Sequence, residues 1–247
     1  MAGFIDIHNH ILPGLDDGAE TLVEAVEMAR IALKNGITRI IATPHQNDYH
    51  HAPARETLAV TELLRAALRK EAVPVEVYPG AELRITPDLA ERLEAERALP
   101  LAGSRYVLME FFFEGAPIFS EEVVFRLRTA GWTPIIAHPE RVYDIQRKPE
   151  RLKKYIDMGC LTHINANSLT GELGRACLDT AIALLKRGWV DIIASDAHGA
   201  AHRPPDFTGA LAVASKVIGK TGARALVLDN PARILDASTQ TGTDREG

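Results

Sequence analysis

The chain has 247 residues, a net charge of −5, 46% hydrophobic residues and 25% charged ones. That balance excludes a disordered chain, and two cysteines are too few for a disulfide-stapled secreted scaffold. The mildly acidic charge leaves no basic footprint for a general nucleic-acid binder, and apolar runs such as residues 190–194 are far too short to span a bilayer.

The first ten residues reach an acidic, histidine-rich segment at once and lack the pattern of a signal peptide. A soluble cytoplasmic protein without membrane insertion is expected. Seven β-rich runs then recur, at residues 4–8, 39–45, 75–82, 106–111, 133–139, 161–167 and 190–198. Most are followed by apolar spacing of three and four. Leu22, Val26, Ala29 and Leu33 form one such stripe, and Leu58, Leu64, Ala67 and Leu68 another. Gly36, Gly131, Gly159 and Gly188 each precede a run, where a helix-ending left-handed residue is expected. Alternating strand and helix implies parallel strands with helical crossovers. Two features favour a closed or nearly closed barrel over an open sheet. No Gly-x-Gly-x-x-Gly follows the first run, and polar residues cluster at the C-terminal ends of nearly all seven. With no Pro/Ser-rich linker, residues 1–236 read as one α/β domain, and residues 237–247 as a small, polar, flexible tail.

The strand ends carry the chemistry. The first holds His8 and His10, two apart and so on one face of a strand, followed by Asp16 and Asp17 in a glycine-rich loop. The second ends in His45, the third in Glu82, the fourth in Glu110, the fifth in His138 followed by Arg141, and the seventh in Asp196 and His198. A single strand-end histidine or carboxylate is ordinarily a capped or solvated group. The set His8, His10, Asp17, His45, Glu82, Glu110, His138, Asp196 and His198 is different. Without cations, its four carboxylates would repel one another in one buried rim. Mixed imidazole and carboxylate ligands suit Mn²⁺, Fe²⁺ or Zn²⁺ and disfavour copper(I) and calcium. With a bridging carboxylate the set suffices for two or three ions. Three divalent ions against the carboxylates of Asp17, Glu82, Glu110 and Asp196 leave a surplus of about two positive charges, which matches a phosphate dianion.

The segments Asp-Ile-His-Asn-His-Ile-Leu-Pro-Gly-Leu-Asp-Asp-Gly, Ala-Thr-Pro-His, Pro-Gly-Ala-Glu, His-Pro-Glu-Arg, Ile-Asn-Ala-Asn-Ser-Leu and Ala-Ser-Asp-Ala-His resemble the PHP (polymerase and histidinol phosphatase) superfamily. More narrowly, the chain resembles its bacterial protein-tyrosine phosphatases of capsule and exopolysaccharide synthesis, from the first strand through Arg203. The resemblance implies a distorted (β/α)₇ TIM-like barrel, the PHP fold, with a trinuclear centre that is commonly manganese. By motif, His8, His10, Glu82 and Asp196 are expected to hold one ion. Glu82, Glu110 and His138 are expected to hold a second, and Asp17, His45 and His198 a third. Arg141 and Arg203 match phosphate-binding arginines. His163 departs from a more usual glutamine, Asn167 from a glycine, and residues 46–51 from the usual loop.

The implied reaction is hydrolysis of a phosphate monoester, with phosphotyrosine protein or peptide as substrate and a bacterial tyrosine kinase of polysaccharide synthesis as a partner. A hydroxide held by the ions is the expected nucleophile, because coordination lowers the pKa of water. Asp6 is open to two roles, general acid or support of a ligand histidine. A cysteine-dependent phosphatase would need an arginine six residues after its thiolate. Ala166 and Ala183 stand there instead, so Cys160 and Cys177 read as packing residues. The alternatives kept are a histidinol-phosphate or other small-molecule phosphatase, a nuclease of the same fold, and a non-catalytic scaffold module. His50, His51 and His202 read as loop or surface residues, with a substrate-facing role as the alternative. Asn165 and Asn167 are candidates to orient ligand-supporting groups, and one ring of Phe111, Phe112 and Phe113 is a candidate to line a slot for a phenyl group.

Overall fold

A computed structural model describes residues 3–243, with side chains described through Ala237. The chain begins with β1 (Phe4–Asn9), α1 (Leu22–Lys34), β2 (Ile37–Ala42), β3 (His45–Gln46) and α2 (Ala54–Lys70). It continues through β4 (Glu76–Pro79), β5 (Glu82–Arg84), α3 (Leu89–Glu94), β6 (Tyr106–Glu110), α4 (Ser120–Thr129) and β7 (Thr133–Ala137). There follow α5 (Tyr143–Arg147), α6 (Glu150–Asp157), β8 (Leu161–Asn165), α7 (Ala166–Thr170) and α8 (Arg175–Lys186). The last elements are β9 (Ile192–Ala194), α9 (Thr208–Ala225) and α10 (Asp229–Thr243).

The second and third expected strands are each split, at Thr43-Pro44 and at Gly80-Ala81. Proline lacks the amide that a ladder needs. Gly80 lets the third strand pass close to the second, since an added Cβ would lie 3.0 Å from Ile41. The halves form two parallel sheets, β1-β2-β4 and β3-β5-β6-β7-β8-β9. The ring closes where β9 meets β1. His10 N–H donates to the Ala197 carbonyl and Asp196 N–H to the His8 carbonyl, each at 2.9 Å. The result is a seven-position parallel barrel with helices outside, as expected.

The α1 helix shows why the outer layer forms. Thr21 accepts from the Glu24 amide at its start, Lys34 sits in its last turn, and Gly36 leaves it at φ +82°. The α2 stripe differs from expectation. Thr57, Thr61, Leu64 and Leu68 are buried, and Leu58 is 46% exposed. The spacing is still helical. The two hydroxyls donate to carbonyls one turn back, at Pro53 and Thr57, and so enter the core satisfied.

Inside the barrel, Ile5, Ile7, Ile41, Leu108, Ile135, Ala137, Ile192 and Ala194 fill the lumen. Ile234 and Leu235 of α10 join them, with Leu101 and Ala102 from a 3₁₀ turn, and complete an apolar floor. The α10 helix runs on to Thr243, into the segment expected as a tail. Residues 244–247 lie outside the described residues.

Candidate metal centre at the barrel mouth

Strand alternation sets which side chains rise above the floor. On β8 the inward series is Leu161, His163 and Asn165, and on β6 Leu108 is followed by Glu110. On β1 the series would continue from Ile5 and Ile7 to Asn9. A register shift between Asp6 and Asn9 inserts one extra residue opposite β2. Beyond it the phase reverses, and His8 and His10 face the mouth. At the end of β7 alternation would turn His138 outward, but its backbone is left-handed at φ +32° and brings the ring back. Asp196 and Arg203 are left-handed as well, at +51° and +54°. Non-glycine residues rarely adopt this region, at a cost on the order of 1 kcal/mol each, and they concentrate at functional sites.

All nine expected ligand residues converge. His8 Nε2 lies 3.2 Å from Glu82 Oε2 and 3.4 Å from Asp196 Oδ1, and His10 Nε2 lies 3.5 and 3.4 Å from the same atoms. His138 Nε2 is 2.9 Å from Glu82 Oε1 and 3.8 Å from Glu110 Oε1. Asp17, on the exposed rim, stands 3.5 Å from His45 Nε2 and 3.6 Å from His198 Nε2. Four groups have donor atoms close enough to share an ion: His10-Asp17-His45-His198, His8-His10-Glu82, His8-His138-Asp196 and His45-Glu82-Glu110. Glu82 belongs to two of them, as a bridge would. His10 also stands with the Asp17 group, and Glu110 stands with His45 instead of His138, which cuts across the three sets expected from motifs.

The donor set fits cations. Glu82 Oε2 and His45 Nδ1 lie 2.9 Å apart and buried, yet neither has a hydrogen bond. With His45 neutral and its Nδ1 lone pair free, both atoms would turn lone pairs toward one point, which a divalent ion would fill. Electrostatics agree. Burial and the neighbouring Glu82 push the Glu110 carboxyl up to about 8. Burial favours a neutral Glu82, but His8 and His45 outweigh it and hold that group well below the usual range. Burial brings His138 down to about 4, and burial with His10 brings His198 down to about 2. Burial thus keeps these two neutral, as ligands must be, whereas Asp16 and Glu82 hold His10 and His45 above the usual range, so those two would release protons to a bound ion.

Asp16 is a residue of the mouth that the sequence underrates. Its carboxylate is buried, accepts from His10 Nδ1 at 2.6 Å and from the amides of His45 and Gly18 at 2.9 and 3.0 Å. Burial opposes its ionisation, but His10 wins and lowers it to about 2. It thus buttresses one candidate ligand from behind. The spacing signal, two adjacent acids after His-x-His, could have found it but could not divide the roles. Asp6 Oδ1 accepts from the backbone amide of His8 at 3.4 Å. The same carboxylate accepts from the Ser195 amide at 2.9 Å, from the Ser195 hydroxyl and from Asn9 Nδ2 at 2.9 Å, tying β1 to the turn after β9.

Arg141 and Arg203 both donate to Asp196 Oδ2, Arg141 at 3.1 Å, and Asn165 Nδ2 joins them. Arg203 Nε is buried without an acceptor. The three phenylalanines part ways. Phe111 packs on Tyr155, Phe112 lies under Arg84, and Phe113, 43% exposed, lies under Arg141 at 4.8 Å and 6.1 Å from the His138 ring. His50 stacks on His45 at 6.0 Å, whereas His51 and His202 are exposed. Asn167 is buried with both amide atoms unpaired. Cys160 and Cys177 are buried, free thiols raised by burial, Cys160 to about 12, which suits packing and not a thiolate nucleophile.

A parallel barrel with a polynuclear-type donor set at its mouth defines a metal-centre enzyme scaffold of the PHP kind. The particular family follows from comparison. The family described as "Capsular polysaccharide synthesis, CpsB/CapC" matches residues 4–236, and the chain belongs to it. The tyrosine-protein phosphatase YwqE of Bacillus subtilis is 37% identical over 217 residues, covering 87% of this chain and 85% of that one. The tyrosine-protein phosphatase CpsB of Streptococcus pneumoniae is 31% identical over 237 residues, covering 94% and 98%. A solved chain from the crystal structures of YwqE and CpsB, described as unique metal-dependent tyrosine phosphatases, superposes at a TM-score of 0.85. It has 33% identity and covers 95% of this chain and 92% of that one. The phosphotriesterase homology protein of Escherichia coli shares the fold at a TM-score of 0.59 and 12% identity.

Proposed function

We propose that the chain is a metal-dependent phosphomonoesterase that removes phosphate from protein phosphotyrosine. The observation that carries this is the pairing of two features at one mouth. Nine imidazole and carboxylate donors converge there, and two arginines converge beside them with Arg203 Nε still lacking an acceptor. Similarity to YwqE and CpsB supports the same reading.

His8, His10, Asp17, His45, Glu82, Glu110, His138, Asp196 and His198 would hold two or three divalent ions, with manganese favoured and iron or zinc accepted by the same donors. Such ions, when bound, supply Lewis acidity and activate water. The chain's own residues do the rest. Arg141 and Arg203 exchange Asp196 Oδ2 for phosphate oxygens, to which planar guanidiniums donate in pairs. They stay with those oxygens as charge develops. Asp196 keeps Oδ1 toward His8 and His10 throughout. The phenol leaves with a pKa of about 10, so little protonation is needed and no dedicated general acid is assigned. Phe113 offers the leaving ring an aromatic face next to Arg141.

A bacterial tyrosine kinase of polysaccharide synthesis fits as the partner whose product is reversed here. No helix among the described residues is long and apolar enough to cross a membrane. Two free, buried thiols suit a reducing compartment, and we assign the activity to the cytoplasm. The test is steady-state kinetics of the Mn²⁺-loaded protein on a phosphotyrosine peptide, a phosphoserine peptide and histidinol phosphate. The phosphotyrosine peptide should be turned over best. A preference for histidinol phosphate would transfer the chain to the small-molecule reading.

A further inference from the structure

The two histidines of β1 are braced from behind in different ways. His10 Nδ1 meets the Asp16 carboxylate at 2.6 Å. His8 Nδ1 meets another imidazole, His163 Nε2, at 2.9 Å across 155 residues of sequence. His163 is fully buried, and its other nitrogen, Nδ1, has no partner. A buried polar atom left unpaired is unfavourable, so packing alone does not favour an imidazole here. Its place in the fold is equally specific. On β8 it stands between Leu161 of the floor and Asn165, which donates to Asp196.

The direction of the hydrogen bond follows from His8. Its Nε2 faces Glu82 Oε2 at 3.2 Å, Asp196 Oδ1 at 3.4 Å and His10 Nε2 at 3.1 Å. To serve as a ligand, that nitrogen must keep its lone pair free. The proton of a neutral His8 then sits on Nδ1 and is donated to His163 Nε2. The His163 proton is left on Nδ1, the atom without a partner. A carboxylate at position 163 would do the same work but add a further buried negative charge to a mouth that already holds Glu82, Glu110, Asp16 and Asp196. A neutral acceptor avoids that.

We propose that His163 is a positioning residue that fixes the tautomer and ring orientation of His8 and thereby raises the metal affinity of the mouth. The inference rests on the metal-centre reading above. The test uses the full chain stripped of metal, as wild type, His163→Gln and His163→Leu, titrated with Mn²⁺ against a fluorescent chelator. Thermal unfolding of each metal-free protein is recorded alongside. The glutamine oxygen can accept the same proton, and leucine cannot. Leucine should weaken the tightest Mn²⁺ site by about 10–100-fold, the range for loss of a ligand's supporting partner, and glutamine should restore it to near wild type. Equal affinity in wild type and His163→Leu would overturn the proposal and leave the metal centre standing, as would glutamine binding as weakly as leucine. Wild type binding no Mn²⁺ would overturn both. If the leucine variant does not fold, His163→Asn, one methylene too short for the contact, takes its place with the same expected loss.

Discussion

At the floor of the barrel, Ile5, Ile7, Leu108, Ile135 and Ile192 meet α10 with no charge among them. A few residues further along the same strands, His8, Glu110, His138 and Asp196 crowd together with unpaired donors and left-handed backbone. The floor is packed so that everything is satisfied within the chain. At the mouth, buried polar atoms are left without partners inside the chain. The difference lies in side-chain chemistry, since the strands are shared, and it separates what stabilises the fold from what the fold is for.

Substitutions should separate the two ends. Glu82→Gln removes the carboxylate common to two donor groups, and should lower phosphotyrosine-peptide turnover by more than ~100-fold together with metal content. Metal content that stays at the wild-type level would break the assignment of Glu82 as a bridge. Arg203→Ala should lower turnover by ~100-fold with metal retained, since one preformed donor to a developing anion is typically worth that much. Elemental analysis of the variant, set beside its kinetics, reads both. Ile135→Ala acts on the floor and should cost about 2–5 kcal/mol of stability in denaturant unfolding, with turnover per folded molecule unchanged.

The smallest effect concerns pH. In the metal-free chain, burial raises Glu110 to about 8 and Glu140 to about 7, from an ordinary 4.5. Burial opposes charge on His10 and His45, but Asp16 and Glu82 respectively win, and both stand above an ordinary 6.5. Between pH 6.5 and 8 the folded chain therefore binds more protons than the unfolded one, and its stability falls as pH rises. Below 6.5 the lowered His138 and His198 act in the opposite sense. Melting of metal-stripped protein should drop by a few °C across that window, and saturating Mn²⁺ should reduce the drop by displacing the protons of Glu110, His10 and His45 while leaving that of Glu140. A flat profile without metal would show that the mouth is not the source of the pH response.

Much of the mouth is legible in the sequence because ligands sit at strand ends, and strand ends are marked by apolar runs giving way to His, Asp or Glu. What stays hidden depends on distance or on backbone state. Asp16 and Asp17 are neighbours in sequence, yet one turns inward to His10 and the other stands on the rim. Asp6 faces Ser195 only because β1 and β9 meet when the ring closes. His163 reads as an odd residue until the closed ring brings β8 within reach of β1 across the mouth. The floor contributed by α10 is likewise invisible, since Ile234 and Leu235 look like an ordinary helical pair.

Metal analysis joined to chelation tests the mouth most directly. Protein purified with Mn²⁺ should carry two or three ions per chain. Exhaustive EDTA treatment should abolish hydrolysis of a phosphotyrosine peptide, and returned Mn²⁺ should restore it. Full activity in a folded, metal-stripped chain would contradict the assignment of these nine side chains.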